Sequence, residues 1–385
     1  MAAPGPTRSR ADLVRHMDRS RRLRRGRRLR QEHGAAAMLM ECPARVAAAS
    51  TATSMALRIS IVVPLRAWND EARRCVERMC RLLRPGDECI LVPDGFPLVA
   101  DLPAPCRLVP LATHGGPAVA RNAGARVAGG DVLFFVDADV LLAANAVEIV
   151  RAQFSQSAIS AVFGSYDDAP SAPGAVSRFR NLLHHFQHQS HAGPVRSFWT
   201  GCGAIRRSVF EALGGFSVRY DRPAMEDVEL GARLARAGGE VRLEPTLLCT
   251  HLKRWTLRSM IVTDIRDRAI PWSRLIYADG DSVAVMNADR RGRVALALTA
   301  VLGACLVLGL LWPLCWLVAA AAFLMLLLWQ RSFLALLRRC GGWRLLAAGS
   351  LLLPVHLASG AIGFGYVTAE VALRRIRDAC HAGRR

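Results

Sequence analysis

The sequence predicts an α/β domain with a mostly parallel sheet, followed by apolar helices near the C-terminus. Short apolar runs rich in β-branched and aromatic residues occur at 59–63, 89–92 and 132–136, with a helical pattern at 70–84. Buried strands that alternate with helices are typical of a mostly parallel sheet. Two later stretches, 294–330 and 345–369, contain no Asp, Glu, Lys or Arg.

These patterns divide the chain into three regions. Residues 1–54 are strongly basic and lack the uninterrupted apolar core of a secretory signal, so we expect disorder there, and Met55 is an alternative start of translation. Residues 55–290 form the expected α/β domain, and residues 291–385 form a membrane region with two to three apolar spans.

The net charge of +20 comes almost entirely from arginine. The sequence contains no recognition-helix, zinc-finger or RNA-binding signature, so a membrane surface is a better expected partner than nucleic acid. The eleven cysteines are scattered and none forms a CxxC pair. This usage suits a reducing cytoplasm and argues against zinc.

The apolar stretches predict a multi-pass protein of the cell membrane. Residues 294–330 can cross a bilayer twice, with a turn at Trp312-Pro313. The third stretch contains Pro354 and His356, so it either spans or forms a re-entrant or in-plane segment. Arginines flank the first two spans on the same side, which predicts a cytoplasmic catalytic domain.

Acidic residues follow two of the predicted strands. Asp94 ends the second strand, and Asp137 and Asp139 end the third. In parallel sheets ligands bind beyond the carboxyl ends of the strands. Because side chains at i and i+2 of a strand share one face, Asp137 and Asp139 can address one metal-bound diphosphate. Carboxylates suit Mg²⁺ or Mn²⁺.

The context of these acids resembles the family-two glycosyltransferases of GT-A fold, over about residues 58–256. The motifs that carry the resemblance are His114-Gly115-Gly116-Pro117, Ala120-Arg121-Asn122-Ala123-Gly124 and the strand that ends in Asp137-Ala138-Asp139. The resemblance implies that Asp94 contacts the nucleobase of a nucleotide-sugar donor and that Arg121 contacts the nucleotide. The turn reads Pro93-Asp94-Gly95-Phe96, without the family's second acid, so the donor base stays open.

The acceptor side of the family's motif order is also present. The resemblance makes Asp227 the catalytic base and gives Glu226 the role of orienting it or the acceptor. His251-Leu252-Lys253-Arg254-Trp255 is similar to the QxxRW motif of membrane-bound members. This similarity implies that Arg254 contacts the departing diphosphate and that Trp255 forms the floor of the acceptor pocket. His251 is an acceptor contact, a further metal ligand or a structural histidine.

We therefore expect an inverting, metal-dependent glycosyltransferase that acts on a lipid-linked or saccharide acceptor near the membrane. A processive polysaccharide synthase is the nearest alternative. Such an enzyme needs a channel that conducts the polymer, and two or three spans provide few helices to form one. A non-catalytic nucleotide-sugar-binding membrane scaffold is a third interpretation. A nucleotidyltransferase would require a glycine- and lysine-rich phosphate loop, which residues 63–67 lack.

Overall fold

The computed structural model describes residues 57–98, 102–219, 225–279 and 290–382. The expectation of disorder for residues 1–54 lies outside the described residues. The strands are β1 Ile59–Leu65, β2 Glu88–Pro93, β3 Cys106–Leu108, β4 Val132–Val136, β5 Val140–Leu142, β6 Ile159–Tyr166, β7 Gly193–Val195, β8 Cys202–Arg206 and β9 Glu240–His251.

Helices cover the sheet and then continue beyond it as far as Ala382. Those among the strands are α1 Asp70–Leu82, α2 Gly116–Val127, α3 Ala146–Phe154, α4 Ala175–Gln189, α5 Arg207–Ala212 and α6 Glu226–Arg236. Those after the sheet are α7 Leu257–Val262, a π-helix Thr263–Ala269, α8 Ile270–Asp279, α9 Arg290–Leu308, α10 Leu314–Trp329 and α11 Arg331–Ala382.

The described strands form one mixed sheet in the order β3-β2-β1-β4-β8-β6-β9-β5, with β7 beside β9. β3, β2, β1 and β4 are parallel, and β8 runs antiparallel between β4 and β6. The predicted α/β class is therefore confirmed, and the predicted runs at 59–63, 89–92 and 132–136 are its central parallel strands. Their side chains are buried because helices cover both faces of the sheet.

Helix α1 illustrates how local sequence sets an element that borders the site. Asn69 caps its N-terminus by accepting a hydrogen bond from the backbone N–H of Ala72 at 2.9 Å. Ala72, Cys75, Val76 and Met79 lie on one face and pack against the sheet. Asn69 therefore serves as a helix cap beside the crevice that it helps to line.

The C-terminal helices follow the apolar stretches of the sequence. Two helices, Arg290–Leu308 and Arg331–His381, are long and apolar enough to cross a membrane, with mean hydropathy of 1.7 and 1.8, and Leu314–Trp329 is a shorter apolar helix. The turn between α9 and α10 contains Trp312-Pro313, at the position the sequence predicts. The third apolar stretch is helical throughout, and α11 bends at Gly342, whose φ is 65°.

These helices pack directly against the α/β domain. Phe179 and Leu182 of α4 share a buried apolar cluster with Phe333, Leu337 and Leu353. α9 begins at Arg290, and α11 returns to pack against α4. The domain boundary at residue 290 stays a prediction.

Three of the scattered cysteines meet at one edge of the sheet. The sulfur atoms of Cys80, Cys89 and Cys106 lie within 4.8 Å of one another, and those of Cys80 and Cys106 are 3.2 Å apart. Their separation along the chain hides this contact, because pairing of β2 with β3 places Cys89 directly beside Cys106.

Candidate active site

A crevice of about 520 Å³ opens at the carboxyl ends of the central parallel strands. It is bordered on the opposite side by α4, the start of α6, the end of β9 and the π-helix. Of the nine predicted site residues, eight line it and Arg254 does not. The eight are Asp94, Arg121, Asp137, Asp139, Glu226, Asp227, His251 and Trp255.

Asp94 organises a loop at the donor end of the crevice. Its two carboxylate oxygens accept hydrogen bonds from the backbone N–H groups of Gly115 (2.7 Å) and Gly116 (3.0 Å), at the start of α2. His114 Nδ1 lies 2.7 Å from the same carboxylate, whose side chain is 7% exposed. Gly95 permits this approach, because a Cβ there would lie 2.4 Å from the backbone N of His114. The predicted contact of Asp94 with a nucleobase stays a prediction.

Asp137 and Asp139 lie where β4 ends, and both side chains are partly exposed to the crevice, at 36% and 38%. The turn that leads from Asp139 into β5 is hydrogen-bonded to the end of β9. Val140 of β5 pairs with His251, and the Asp139 carbonyl accepts a hydrogen bond from the backbone N–H of Leu252. Burial raises the pKa of Asp137, partly offset by the charge of Arg121. For Asp139, burial is outweighed by the hydrogen bond from His251, and its pKa is lowered.

Arg121 joins the two acidic groups of the crevice. Its side chain is 4% exposed, with Nη2 2.7 Å from Asp137 Oδ1 and Nη1 2.6 Å from Glu226 Oε1. Its guanidinium also lies over the ring of Phe216. The predicted contact of Arg121 with the nucleotide is untested, whereas its contacts with both carboxylates are direct features of the structure.

Asp227 is held at the N-terminus of α6. One carboxylate oxygen accepts hydrogen bonds from the backbone N–H and the hydroxyl of Thr200, both at 3.2 Å, and the other accepts from the backbone N–H of Val228 at 2.8 Å. Burial, followed by the negative charge of Glu226, raises the pKa of Asp227 to about 6. Asp227 is thus a carboxylate whose proton affinity is matched to proton transfer near neutral pH.

His251 connects the acceptor side to Asp139. Its Nδ1 lies 3.1 Å from Asn181 Oδ1, and its Nε2 lies 3.4 Å from Asp139 Oδ2. The imidazole stacks on the ring of Tyr166 with the ring centroids 4.8 Å apart. The imidazole therefore connects Asn181 of α4 with Asp139 at the end of β4.

The other two residues of the HxxRW motif are placed differently from one another. Trp255 is 8% exposed, and its backbone N–H donates to Ser177 Oγ. Arg180 Cζ and Lys253 Nζ lie 5.3 and 4.4 Å from the centroid of its ring. Arg254 is exposed and lies outside the crevice lining, whereas Lys253 lines it. Lys253 is therefore the basic residue of this motif that the structure places at the crevice.

The histidines of α4 form an aromatic wall rather than a ligand cluster. His184 Nε2 lies 2.8 Å from Arg268 Nη1, and His188 packs against the rings of Phe163 and Trp199. Burial, reinforced by the charge of Arg268, lowers the pKa of His184 and brings that of His188 to about 3. Both imidazoles are therefore neutral at physiological pH.

Several residues of the site escaped sequence reasoning. Thr200 and Asn181 hold Asp227 and His251, while Tyr166, Trp199 and Lys253 line the crevice. The signal for Lys253 was present, since it is the only lysine in the sequence and lies inside a recognised motif. The others have no local signature, because each contacts a partner distant in the chain.

Comparison with known proteins identifies the class of domain. The family described as Glycosyl transferase family 2 matches residues 60–214. Two curated relatives, the pre-mycofactocin glycosyltransferases of Mycobacterium tuberculosis strains CDC 1551 / Oshkosh and ATCC 25618 / H37Rv, are each 28% identical over 215 residues. These matches cover 53% of this chain and 44% of each relative, so the chain spans less than half the length of these relatives.

Among solved structures, the mannosyltransferase PcManGT from Pyrobaculum calidifontis in complex with GDP-Man and Mn²⁺ is similar with a TM-score of 0.49 and 16% identity. This likeness covers 86% of this chain and 95% of that one.

The matched residues, the sheet and the acidic crevice together indicate a glycosyltransferase domain of GT-A type. Residues 60–214 are similar to Glycosyl transferase family 2, as the motifs of the sequence predict.

Proposed function

We propose that the protein transfers a sugar from a nucleotide-sugar donor to an acceptor hydroxyl with inversion at the anomeric carbon, and that Asp227 is the base. The observation that carries this proposal is the arrangement of Asp227 beside Glu226, which Arg121 connects to the donor-side carboxylate of Asp137 in the same crevice. The guanidinium of Arg121 therefore fixes the distance between the donor and acceptor halves of the crevice.

Asp227 has the properties that this reaction requires of a base. A base is most effective when its pKa lies near the working pH, and the pKa of Asp227 is raised to about 6. Its hydrogen bonds from Thr200 and Val228 fix the carboxylate without neutralising its charge.

The donor set at the end of β4 fits a divalent cation. Two partly exposed carboxylates supply the hard oxygen ligands that Mg²⁺ and Mn²⁺ prefer, and the Nε2 of His251 adds a nitrogen beside Asp139. Asp137 and Asp139 would hold the cation, which when bound neutralises charge on the departing diphosphate. Lys253 is positioned to add a further positive charge on the same side.

In the transfer step, the acceptor hydroxyl gives its proton to Asp227 while its oxygen attacks the anomeric carbon. The bond from that carbon to the diphosphate oxygen breaks, and the nucleoside diphosphate leaves with the electron pair. Attack opposite the leaving group inverts the anomeric configuration.

We further propose that the acceptor is lipid-linked or membrane-proximal and that the protein is a multi-pass membrane protein with a cytoplasmic catalytic domain. Large apolar side chains of the C-terminal helices are exposed, among them Leu310 (77%), Leu311 (72%), Trp343 (67%) and Leu351 (66%). An exposed apolar surface of this extent favours contact with lipid over contact with water.

The proposal is tested with the purified full-length protein in detergent, assayed for release of UDP, GDP or TDP from a panel of nucleotide sugars. We expect one nucleotide to be released with a requirement for Mg²⁺ or Mn²⁺. Asp227→Asn should lower the rate of release by roughly 10²- to 10⁴-fold while nucleotide binding persists. Asp131→Asn is the matched control, because Asp131 is half exposed and pairs with Arg58 outside the crevice. Full activity of Asp227→Asn would contradict the assignment.

A further inference from the structure

Three thiols meet at the β3 edge of the sheet, away from the catalytic crevice. Cys80 lies in the last turn of α1, Cys89 is the second residue of β2, and Cys106 is the first residue of β3. The crevice opens at the carboxyl ends of the strands, whereas Cys89 and Cys106 lie at the amino ends, and none of the three lines the crevice. The proposed transfer reaction therefore gives these thiols no role.

The spacing of the three sulfur atoms matches that of ligands around one metal ion. With Zn–S bonds of about 2.3 Å, two sulfurs on a tetrahedral ion lie about 3.8 Å apart. The 3.2 Å between the sulfurs of Cys80 and Cys106 and the upper bound of 4.8 Å for the whole group bracket that value. All three cysteines are free, so each sulfur is available as a ligand.

Regular secondary structure fixes the backbone around the thiols. Cys89 and Cys106 are directly paired in the parallel ladder between β2 and β3, and the backbone N–H of Cys89 donates to the Pro105 carbonyl at 3.4 Å. Cys89 also shares a buried apolar cluster with Val76 and other residues of α1, the helix that carries Cys80. An ion would therefore find its ligands already positioned, which lowers the entropy lost on binding.

The donor atoms and their burial indicate which ion the group would take. Within the described ranges the group consists of three sulfurs, without a histidine or a carboxylate. Thiolates are soft ligands that select zinc and Cu⁺, whereas Mg²⁺ and Mn²⁺ prefer oxygen. Three thiolates around Zn²⁺ carry one net negative charge, and around Cu⁺ they carry two. Because Cys89 is buried and burial disfavours net charge, the divalent ion suits the group better.

We propose that Cys80, Cys89 and Cys106 form a zinc site that joins α1 to β2 and β3. On binding, three thiol protons pass to solvent and three sulfur–zinc bonds form. Cys80 and Cys106 are partly exposed, which gives the ion a path of entry and leaves water as its fourth ligand. The scattered spacing of the cysteines argues against zinc, but pairing of β2 with β3 supplies the neighbouring ligands that a CxxC pair would otherwise provide.

Zinc binding is measured on the full-length protein in detergent, with the thiols kept reduced by a phosphine. Bound metal is first removed with a chelator, and Zn²⁺ is then added in competition with a chromophoric chelator. The wild type should bind one zinc ion that about a hundredfold excess of Mg²⁺ does not displace. Co²⁺ in place of zinc should give the intense ultraviolet charge-transfer absorption of thiolate ligands. Displacement of zinc by Mg²⁺ would overturn the sulfur site.

Two cysteines of α1 provide a matched pair of variants. Cys80→Ala removes a ligand, whereas Cys75→Ala removes a thiol that is fully buried in the same helix but lies outside the group. Loss of groups that only support a metal's ligands costs about 10- to 100-fold in affinity, so loss of a ligand should cost at least about 100-fold. Cys75→Ala should bind zinc as the wild type does.

A second ligand variant guards against a failure of folding. Cys106→Ser keeps the size of the side chain in β3 and should weaken zinc binding as much as Cys80→Ala does. Wild-type affinity in either ligand variant would overturn the site, as would an equal loss in Cys75→Ala. Binding of Cu⁺ without binding of zinc would overturn the choice of ion.

An ion that joins three elements should also stabilise the fold. At a free zinc concentration about 100 times Kd, the unfolding midpoint of the wild type should rise by several degrees. Cys80→Ala and Cys106→Ser should show no such rise. A midpoint that stays the same although zinc binds would show that the ion does not join these elements.

Reciprocal variants separate this site from the cation proposed at Asp137 and Asp139. Cys80→Ala should keep the Mn²⁺ response of donor binding, and Asp139→Asn should keep the affinity for zinc. The inference does not depend on the transferase activity, because zinc binding is measured without a nucleotide sugar. Loss of zinc in Asp139→Asn would place the ion at the crevice and overturn the site.

Discussion

The proposed donor and acceptor halves of the crevice are built in different ways. The donor half consists of residues at the ends of neighbouring parallel strands, Asp94 after β2 and the Asp137–Asp139 pair after β4. The acceptor half brings together α4, α6 and the end of β9, with His251 and Asn181 70 residues apart in sequence. The first half depends on strand order, and the second depends on packing that includes the C-terminal helices.

The comparison predicts that the two halves can be inactivated separately. Asp227→Asn keeps the side-chain shape but removes the proton acceptor, so we expect transfer to fall by roughly 10²- to 10⁴-fold with nucleotide affinity unchanged. Measuring nucleotide-sugar affinity and transfer rate on the same folded variant checks this. Loss of both would mean that Asp227 supports the structure of the crevice instead.

Arg121 should be the residue whose loss damages both halves. Arg121→Ala leaves the buried carboxylate of Glu226 without its cation, and breaking a buried ion pair costs about 3–5 kcal/mol. Thermal or denaturant unfolding would measure this loss. Glu226→Gln is the control, because a neutral amide can still accept a hydrogen bond from Arg121 and should destabilise the protein less. If Arg121→Ala were as stable as the wild type, the proposed role of Arg121 in holding the two halves together would be wrong.

On the donor side, Asp139→Asn replaces a hard anionic ligand with a neutral amide. We expect metal-dependent donor affinity to fall by at least about tenfold while metal-independent nucleotide binding stays the same. Titration of the donor with and without Mn²⁺ measures both quantities. A variant with the same metal response as the wild type would remove Asp139 from the cation site.

The smallest effect should appear in the pH dependence. Asp227 acts as a base only when deprotonated, so kcat/KM should fall about tenfold per pH unit below about 6 and level off above it. The raised pKa also means that the folded state favours protonated Asp227. Its contribution to stability is therefore present at low pH and is lost as pH rises through about 6. A flat kcat/KM profile between pH 5 and 7 would exclude Asp227 as the base.

The sequence was informative wherever a residue's role follows from its immediate neighbours. Alternation of apolar runs with a helical pattern predicted the α/β class, and the acids at strand ends predicted the donor side of the crevice. The charge-free stretches predicted the C-terminal helices, including the turn at Trp312-Pro313. The family resemblance added the order of the acceptor motifs.

Other features required the folded chain. The family resemblance assigned Arg254 to the leaving group, but in the structure Arg254 is exposed outside the crevice lining and Lys253 lines the crevice. The spacing of cysteines suggested scattered thiols, yet strand pairing brings three of them together. Register and side-chain direction at a strand end change with each residue, so a motif match does not determine them.

The sequence by itself determined the class of domain, the donor-side acids and the apolar character of the C-terminal region, because periodicity and strand-end position are local properties of the chain. Only the tertiary structure decided that Arg121 connects Asp137 to Glu226, and that α11 returns to pack against α4. Both depend on contacts between residues about 100 positions or more apart, such as Arg121 with Glu226 and Arg180 with His356, 105 and 176 residues apart in sequence. No local pattern encodes such contacts, since they form only when separate elements pack on a common core.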